Sequence, residues 1–272
     1  MTESPAVPRG IMNRRVIQVI AYVTMMIDHL AASLSITWWK VWASTASYNF
    51  YTFLRGVGRM AFPLFIFGLV NGVRHTRSLP KYLLRIAIFA VISEIPFDFA
   101  LFGKVWTIGY QNVMLTLLIG LLVLVVIRWG LHRKGWELLY GIPAAIAITL
   151  GGMTLAEFLN TDYGAGGILA IAVMGAVLLN PLTERVTLYP WNAFIRAGAM
   201  AATVLVLGLM CGSGEFIAML MVIPAFLYTE TAVVKPRRSL FLSNYMIYPA
   251  HLALYALAIV LPYLLSKGKP LF

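Results

Sequence analysis

The stretch MMIDHLAASLS, residues 25–35, sets an acid and an imidazole side by side, Asp28 and His29, inside an otherwise apolar run. A histidine needs little help to act as a base, because its unperturbed pKa of about 6.5 lies near working pH. A carboxylate can fix its tautomer and stabilise the imidazolium formed when it takes a proton. Neighbouring residues on a helix point about 100° apart, so Asp28 need not touch His29 itself. Asp98 or Asp162 could orient the ring instead, leaving Asp28 to pair with Arg59. A purely structural Asp28–Arg59 ion pair would meet the same burial cost without any chemistry. No Gly-x-Ser-x-Gly nucleophile elbow and no His-Glu-x-x-His zinc motif is present. The histidines are His29, His75, His132 and His251, with His75 and His132 in loops, so no metal centre is expected. Cys211 is the single cysteine, which excludes an internal disulfide and any Cys-based metal site.

The elements that must position these groups follow from composition. Of 272 residues, 61% are hydrophobic and only 11% charged. A soluble domain carries about 25% charged residues, so the chain reads as an all-α, polytopic integral membrane bundle forming one domain. A formal net charge of +11 fits loops anchored to anionic headgroups better than nucleic-acid binding. Arg14 and Arg15 precede a long apolar run, which reads as an uncleaved first helix rather than a signal peptide. A bilayer core takes roughly 20 apolar residues as helix. About nine spans fit: 12–34, 57–73, 82–102, 112–128, 136–157, 164–180, 192–210, 214–229 and 242–265. Pro143 and Gly151-Gly152 are expected to kink or break the fifth.

Charge fixes the expected orientation. With a cytoplasmic N-terminus, the inner segments carry Arg9, Arg14, Arg15, Arg74, Arg77, Lys81, Arg128, Arg133, Lys134, Arg185, Lys235, Arg237 and Arg238. The outer segments carry only Lys40, Arg55, Lys104, Lys267 and Lys269, the positive-inside pattern. Polar residues then acquire a depth. Asp28 and His29 lie near the outer end of the first span, below a belt of Trp38, Trp39 and Trp42. Arg59 opens the second span at the same end. Glu94 and Asp98 share a face high in the third, Gln111 and Asn112 begin the fourth, and Asp162 and Tyr163 fill an outer loop. Ionisable groups at such depth face a cavity or a partner.

A second group faces the cytoplasm. NGVRHTRSLPKYLLR holds Arg74, His75, Arg77, Lys81 and Arg85, which serve either as an ordinary positive-inside loop or as an anion site for donor phosphates. Arg85, a turn inside the third span, is the best placed of them. In SNYMIYPAHLAL, Asn244, Tyr248 and His251 share one helical face and suggest a cavity wall, or else helix packing.

Several segments together carry a family resemblance. MMIDH, GVGRMAFPLFIFGLVNGVRHT, KYLLRIAIFAVISEIPFD, NVMLTLLIGLL, TDYGAGGIL and NYMIYPAHL, in order over residues 25–255, resemble the TraX family of conjugal-transfer pilin acetylases. The layout is similar to a wider group of transmembrane acyltransferases, which take acetyl from cytoplasmic acetyl-CoA and use an intramembrane His near the far face. The resemblance implies catalytic roles for Asp28, His29, Arg59, Asn112 and Asp162, beside Gly58, Thr116, Tyr163 and Gly164. It matches His75 and Thr76, Tyr82 and Arg85, and Tyr248, Pro249 and His251, which join Arg74, Arg77 and Asn244 of the basic cluster and polar stripe as expected donor-binding residues. Region 128–158 matches nothing recognisable. The expected protein is a bacterial inner-membrane acetyltransferase, with lipid, a cytoplasmic acyl donor and an outer protein, peptide or glycan acceptor as partners. A proton-coupled transporter and a non-catalytic envelope assembly factor are the rival readings.

Overall fold

The computed structural model describes residues 11–38, 45–229 and 238–266, without the side chains of 37–38, 45–46 and 238–244. Asn244 and the three belt tryptophans therefore lie outside the described side chains. Among the described residues every regular element is helical. That is what lipid demands of a chain that must satisfy its own backbone groups.

The first helix, α1, spans Arg14–Trp38. α2 (Thr45–Arg59) and α3 (Ala61–His75) follow, separated only at Met60. α4 is Leu79–Phe102, ended by Gly103 at φ 65°, where a left-handed residue closes the helix. α5 (Val113–Leu131) starts from Asn112, whose side chain accepts the Met114 N–H at 2.9 Å. α6 (Leu138–Phe158), α7 (Gly164–Leu178), the single turn α8 (Pro181–Glu184) and α9 (Trp191–Met210) complete the middle. A 3₁₀ stretch, Ser213–Met221, runs into α10 (Val222–Leu227). α11 (Arg238–Tyr255) continues through a π turn, Ala256–Val260, into α12 (Leu261–Leu265).

Among the described residues, six segments are long and apolar enough to cross a membrane: Arg14–Ile36, Ser47–His75, Val113–Leu131, Gly135–Phe158, Trp191–Met210 and Tyr245–Leu265. They correspond to six of the expected spans. The other three expected regions are helical but differ in kind. Gly164–Leu178 and Ser213–Leu227 are apolar but short, and α4 is interrupted by Lys81, Arg85, Glu94 and Asp98. Two expectations are corrected. The second helical passage begins at Thr45 rather than residue 57, so Arg55 is helical and not in an outer loop. Its polar and aromatic residues hide that first half from a hydropathy reading. The fifth expected span does not break, because α6 runs through Gly151-Gly152 unbroken. Pro143 lies early enough that Leu139 alone loses an intrahelical donor.

α7 packs against α5, α6 and α9, and buries Ile171 and Met174 with Leu121, Leu124, Met200 and Leu207, and Ile168 with Ile119 and Val123. Small residues allow the close approach such bundles use. At Gly130 and Gly141 the backbones of α5 and α6 meet where a side chain would stand.

Candidate active site

His29 lies fifteen residues along α1 from Arg14, about 22 Å at helical rise. Its Nδ1 is 2.7 Å from Nε2 of His251 on α11, and both rings are buried. The ring planes differ by 3° with centroids 5.0 Å apart, so the rings meet edge to edge in one plane. His251 Nδ1 lies 2.8 Å from the Ile247 carbonyl. A carbonyl only accepts, so the network assigns the proton to Nδ1 of His251. With both rings neutral, His251 Nε2 then accepts from Nδ1–H of His29. Among the described residues the Nε2 lone pair of His29 meets no hydrogen-bond donor: a base oriented by a second imidazole. Tyr248 packs edge-on against both rings, at 5.8 and 5.7 Å between centroids. Tyr255 flanks His251 at 5.6 Å, and its hydroxyl donates to the Met26 carbonyl at 3.2 Å.

The carboxylates expected to orient His29 are all engaged elsewhere. Asp28 Oδ2 accepts from Arg55 at 2.6 Å, which replaces the expected Asp28–Arg59 pair. Arg59, a turn further along α2, binds the buried Glu215 at 3.0 Å. The Asp28 carboxylate occupies the space where a Cβ on Gly58 would be, which sets this contact between α1 and α2. Asp98 accepts the Thr107 N–H at 2.6 Å. Asp162 accepts the Tyr110 hydroxyl at 2.7 Å. Burial pushes the Asp162 carboxyl up from its usual range, opposed by the Tyr110 hydroxyl and the Arg59 and Arg55 charges. Asn112 donates to Glu94 and to the Ala90 carbonyl at 2.9 Å, and accepts from Met114. Arg55, Tyr110, Glu215 and Tyr255 were not singled out in the sequence. Glu215 carried a readable signal, a lone acid in the apolar run GSGEFIAML.

A cleft of about 150 Å³ runs between α1, α3, α4, α5 and α11. Along α1 it reaches from Arg14 to Met25, about 16 Å, and Met25 is one turn from His29. Gln18, Asn71, Tyr82 and Tyr245 line the Arg14 end, whereas Val113, Met114 and Tyr248 line the other. Arg85 adjoins the first group, its guanidinium 5.9 Å from the centre of the Tyr82 ring and hydrogen-bonded to Tyr245. The expected basic cluster is thus divided. Arg74 pairs with Glu184 at 3.7 Å, and His75 and Arg77 are exposed and do not line the cleft. Arg14 takes the place beside Arg85 that the sequence reading gave to them. His251 likewise sits on His29, away from the Arg14 end of the cleft.

The TraX family, described as "TraX protein", matches residues 13–260. The probable fimbrial assembly protein FimC, serogroup H1, of Dichelobacter nodosus is 33% identical over 124 residues, 40% of this chain. The match spans 44% of that relative's own length. No solved structure matches. The family match runs from the start of α1 through both imidazoles to the π turn, and this integral membrane protein belongs to the TraX family.

Proposed function

We propose that the protein is a transmembrane acyltransferase that carries acetyl from cytoplasmic acetyl-CoA to an amine or hydroxyl on the outer side of a bacterial cytoplasmic membrane. One observation carries this reading: a cleft that begins among Arg14 and tyrosine side chains and ends at Tyr248, whose ring packs against a buried, oriented imidazole base. In this reading the chain crosses the membrane nine times with its N-terminus inside. Arg14 and Arg85 hold donor phosphates, and the pantetheine arm lies along α1 toward Met25. His29 Nε2 removes a proton from the attacking acceptor, and the chain through His251 to the Ile247 carbonyl stabilises the imidazolium. A transient acetyl group on Nε2 would use the same atom. A pilus subunit is the acceptor that the resemblance to pilin acetylases and the name of the D. nodosus relative favour.

The test uses inside-out vesicles of the native membrane, which contain the acceptor whatever its identity. Labelled acetyl-CoA supplied outside them should label a lumenal component when the wild-type protein is present, and not with His29→Ala. Right-side-out vesicles should incorporate nothing. Equal labelling with wild type and His29→Ala, or labelling confined to the donor side, would defeat the reading.

A further inference from the structure

Attack on a thioester drives negative charge onto the carbonyl oxygen, and that charge needs a donor aimed at it. Besides backbone amides, the sequence offers the side chains of Arg59 and Asn112. Neither is placed for the task. Both amide hydrogens of Asn112 are committed, to Glu94 and to the Ala90 carbonyl. Arg59 is held by Glu215 and does not line the cleft.

Tyr248 differs on each count. It lines the cleft, its ring touches His29 and His251, and the residue is only 5% exposed. Its hydroxyl lies beside the Val113 backbone at the N-terminus of α5. Among the described residues the hydroxyl proton finds no acceptor. A buried hydroxyl with an unused proton is costly unless something arrives to accept it. An oxygen brought in along the cleft would do so.

We propose that Tyr248 is a catalytic residue whose hydroxyl donates a hydrogen bond to the carbonyl oxygen of the donor thioester. This rests on the acyltransferase reading above. The acceptor nitrogen or oxygen bonds to the carbonyl carbon while its proton passes to His29 Nε2. The carbonyl oxygen takes up the electron pair and the Tyr248 hydrogen bond strengthens. Collapse re-forms the carbonyl and breaks the carbon–sulfur bond, and the CoA thiolate takes the proton from His29. The products are acetylated acceptor and free CoA, and Tyr248 keeps its proton throughout.

The same native vesicles, carrying Tyr248→Phe at matched abundance, test the role. Removal of one such donor lowers kcat about 10²- to 10³-fold. The KM for acetyl-CoA should move little, since the donor is bound along the rest of the cleft. A second variant replaces Tyr248 by fluorinated tyrosines of graded acidity, which keep ring, hydroxyl and packing. Turnover should change systematically with hydroxyl acidity, which a packing role would not produce. Wild-type turnover retained by Tyr248→Phe, or rates indifferent to ring acidity, would overturn the assignment alone. If wild-type protein transfers no acetyl, the acyltransferase reading falls and this role with it.

Discussion

α4 and α6 have similar lengths, 24 and 21 residues, and opposite characters. α6 is apolar on every side and buries only Gly141, Gly152 and Ala156. Ile142, Ile146, Leu150 and Phe158 point away from the bundle, where lipid is as good a neighbour as protein. α4 fails the apolarity expected of a span, yet it buries Tyr82, Ser93, Glu94 and Asp98. From it come the anchor of Asn112, the acceptor of Thr107 and the arginine beside the cleft. A helix can therefore look least like a span because it does most of the work of shaping an interior. Apolarity reports contact with lipid, and its interruption reports contact with something else.

The largest effect that would test this contrast is on turnover. His29→Ala should lower acetyl transfer by about 10²- to 10⁴-fold, the usual contribution of a general base, with the protein still inserted and still stabilised by acetyl-CoA. Arg85→Ala on α4 should raise the KM for acetyl-CoA by roughly 10- to 100-fold and leave kcat nearly unchanged, as loss of a charged hydrogen bond to bound donor requires. A collapse of kcat at constant KM would move Arg85 out of the donor end. Glu94→Ala strands the Asn112 amide at the start of α5. Thermal unfolding in detergent should record a loss of about 1–3 kcal/mol, largely restored by Glu94→Gln. Gly58→Ala pushes against the Asp28 carboxylate, and overpacking of this kind costs about 1–3 kcal/mol with some relaxation expected. Ile146→Ala on α6 should change stability by less than about 0.5 kcal/mol and leave turnover intact. A large loss there would mean that α6 has a protein partner on its outer face.

Much of this was legible in the residues themselves. Bilayer energetics dictate helices, and the positions of nearly every helix follow from hydropathy. Asp28, Arg59, Asn112 and Asp162 stood out because each is expensive where it lies. Pairing was not legible. Asp28 could reach Arg55 or Arg59, which share a helix face one turn apart, and only the gap at Gly58 decides where the carboxylate sits. The partner of His29 was harder still. Carboxylates are the familiar orienting groups, whereas His251 lies 222 residues away and its neighbour Pro249 draws attention to the backbone instead. Glu215 was visible as a lone acid in an apolar stretch, but nothing in the sequence pointed to Arg59 as its partner.

The imidazole chain ends on the Ile247 carbonyl and not on a carboxylate. Two neutral rings and a neutral acceptor complete it, so no fixed ion has to be carried into the membrane during insertion. In the proposed reaction, positive charge exists there only while a proton rests on His29, and it leaves with the product. The dielectric cost that a permanent His–Asp couple would impose on folding is thus converted into a brief term in the reaction barrier. Assembly of the bundle and turnover by it become separately adjustable.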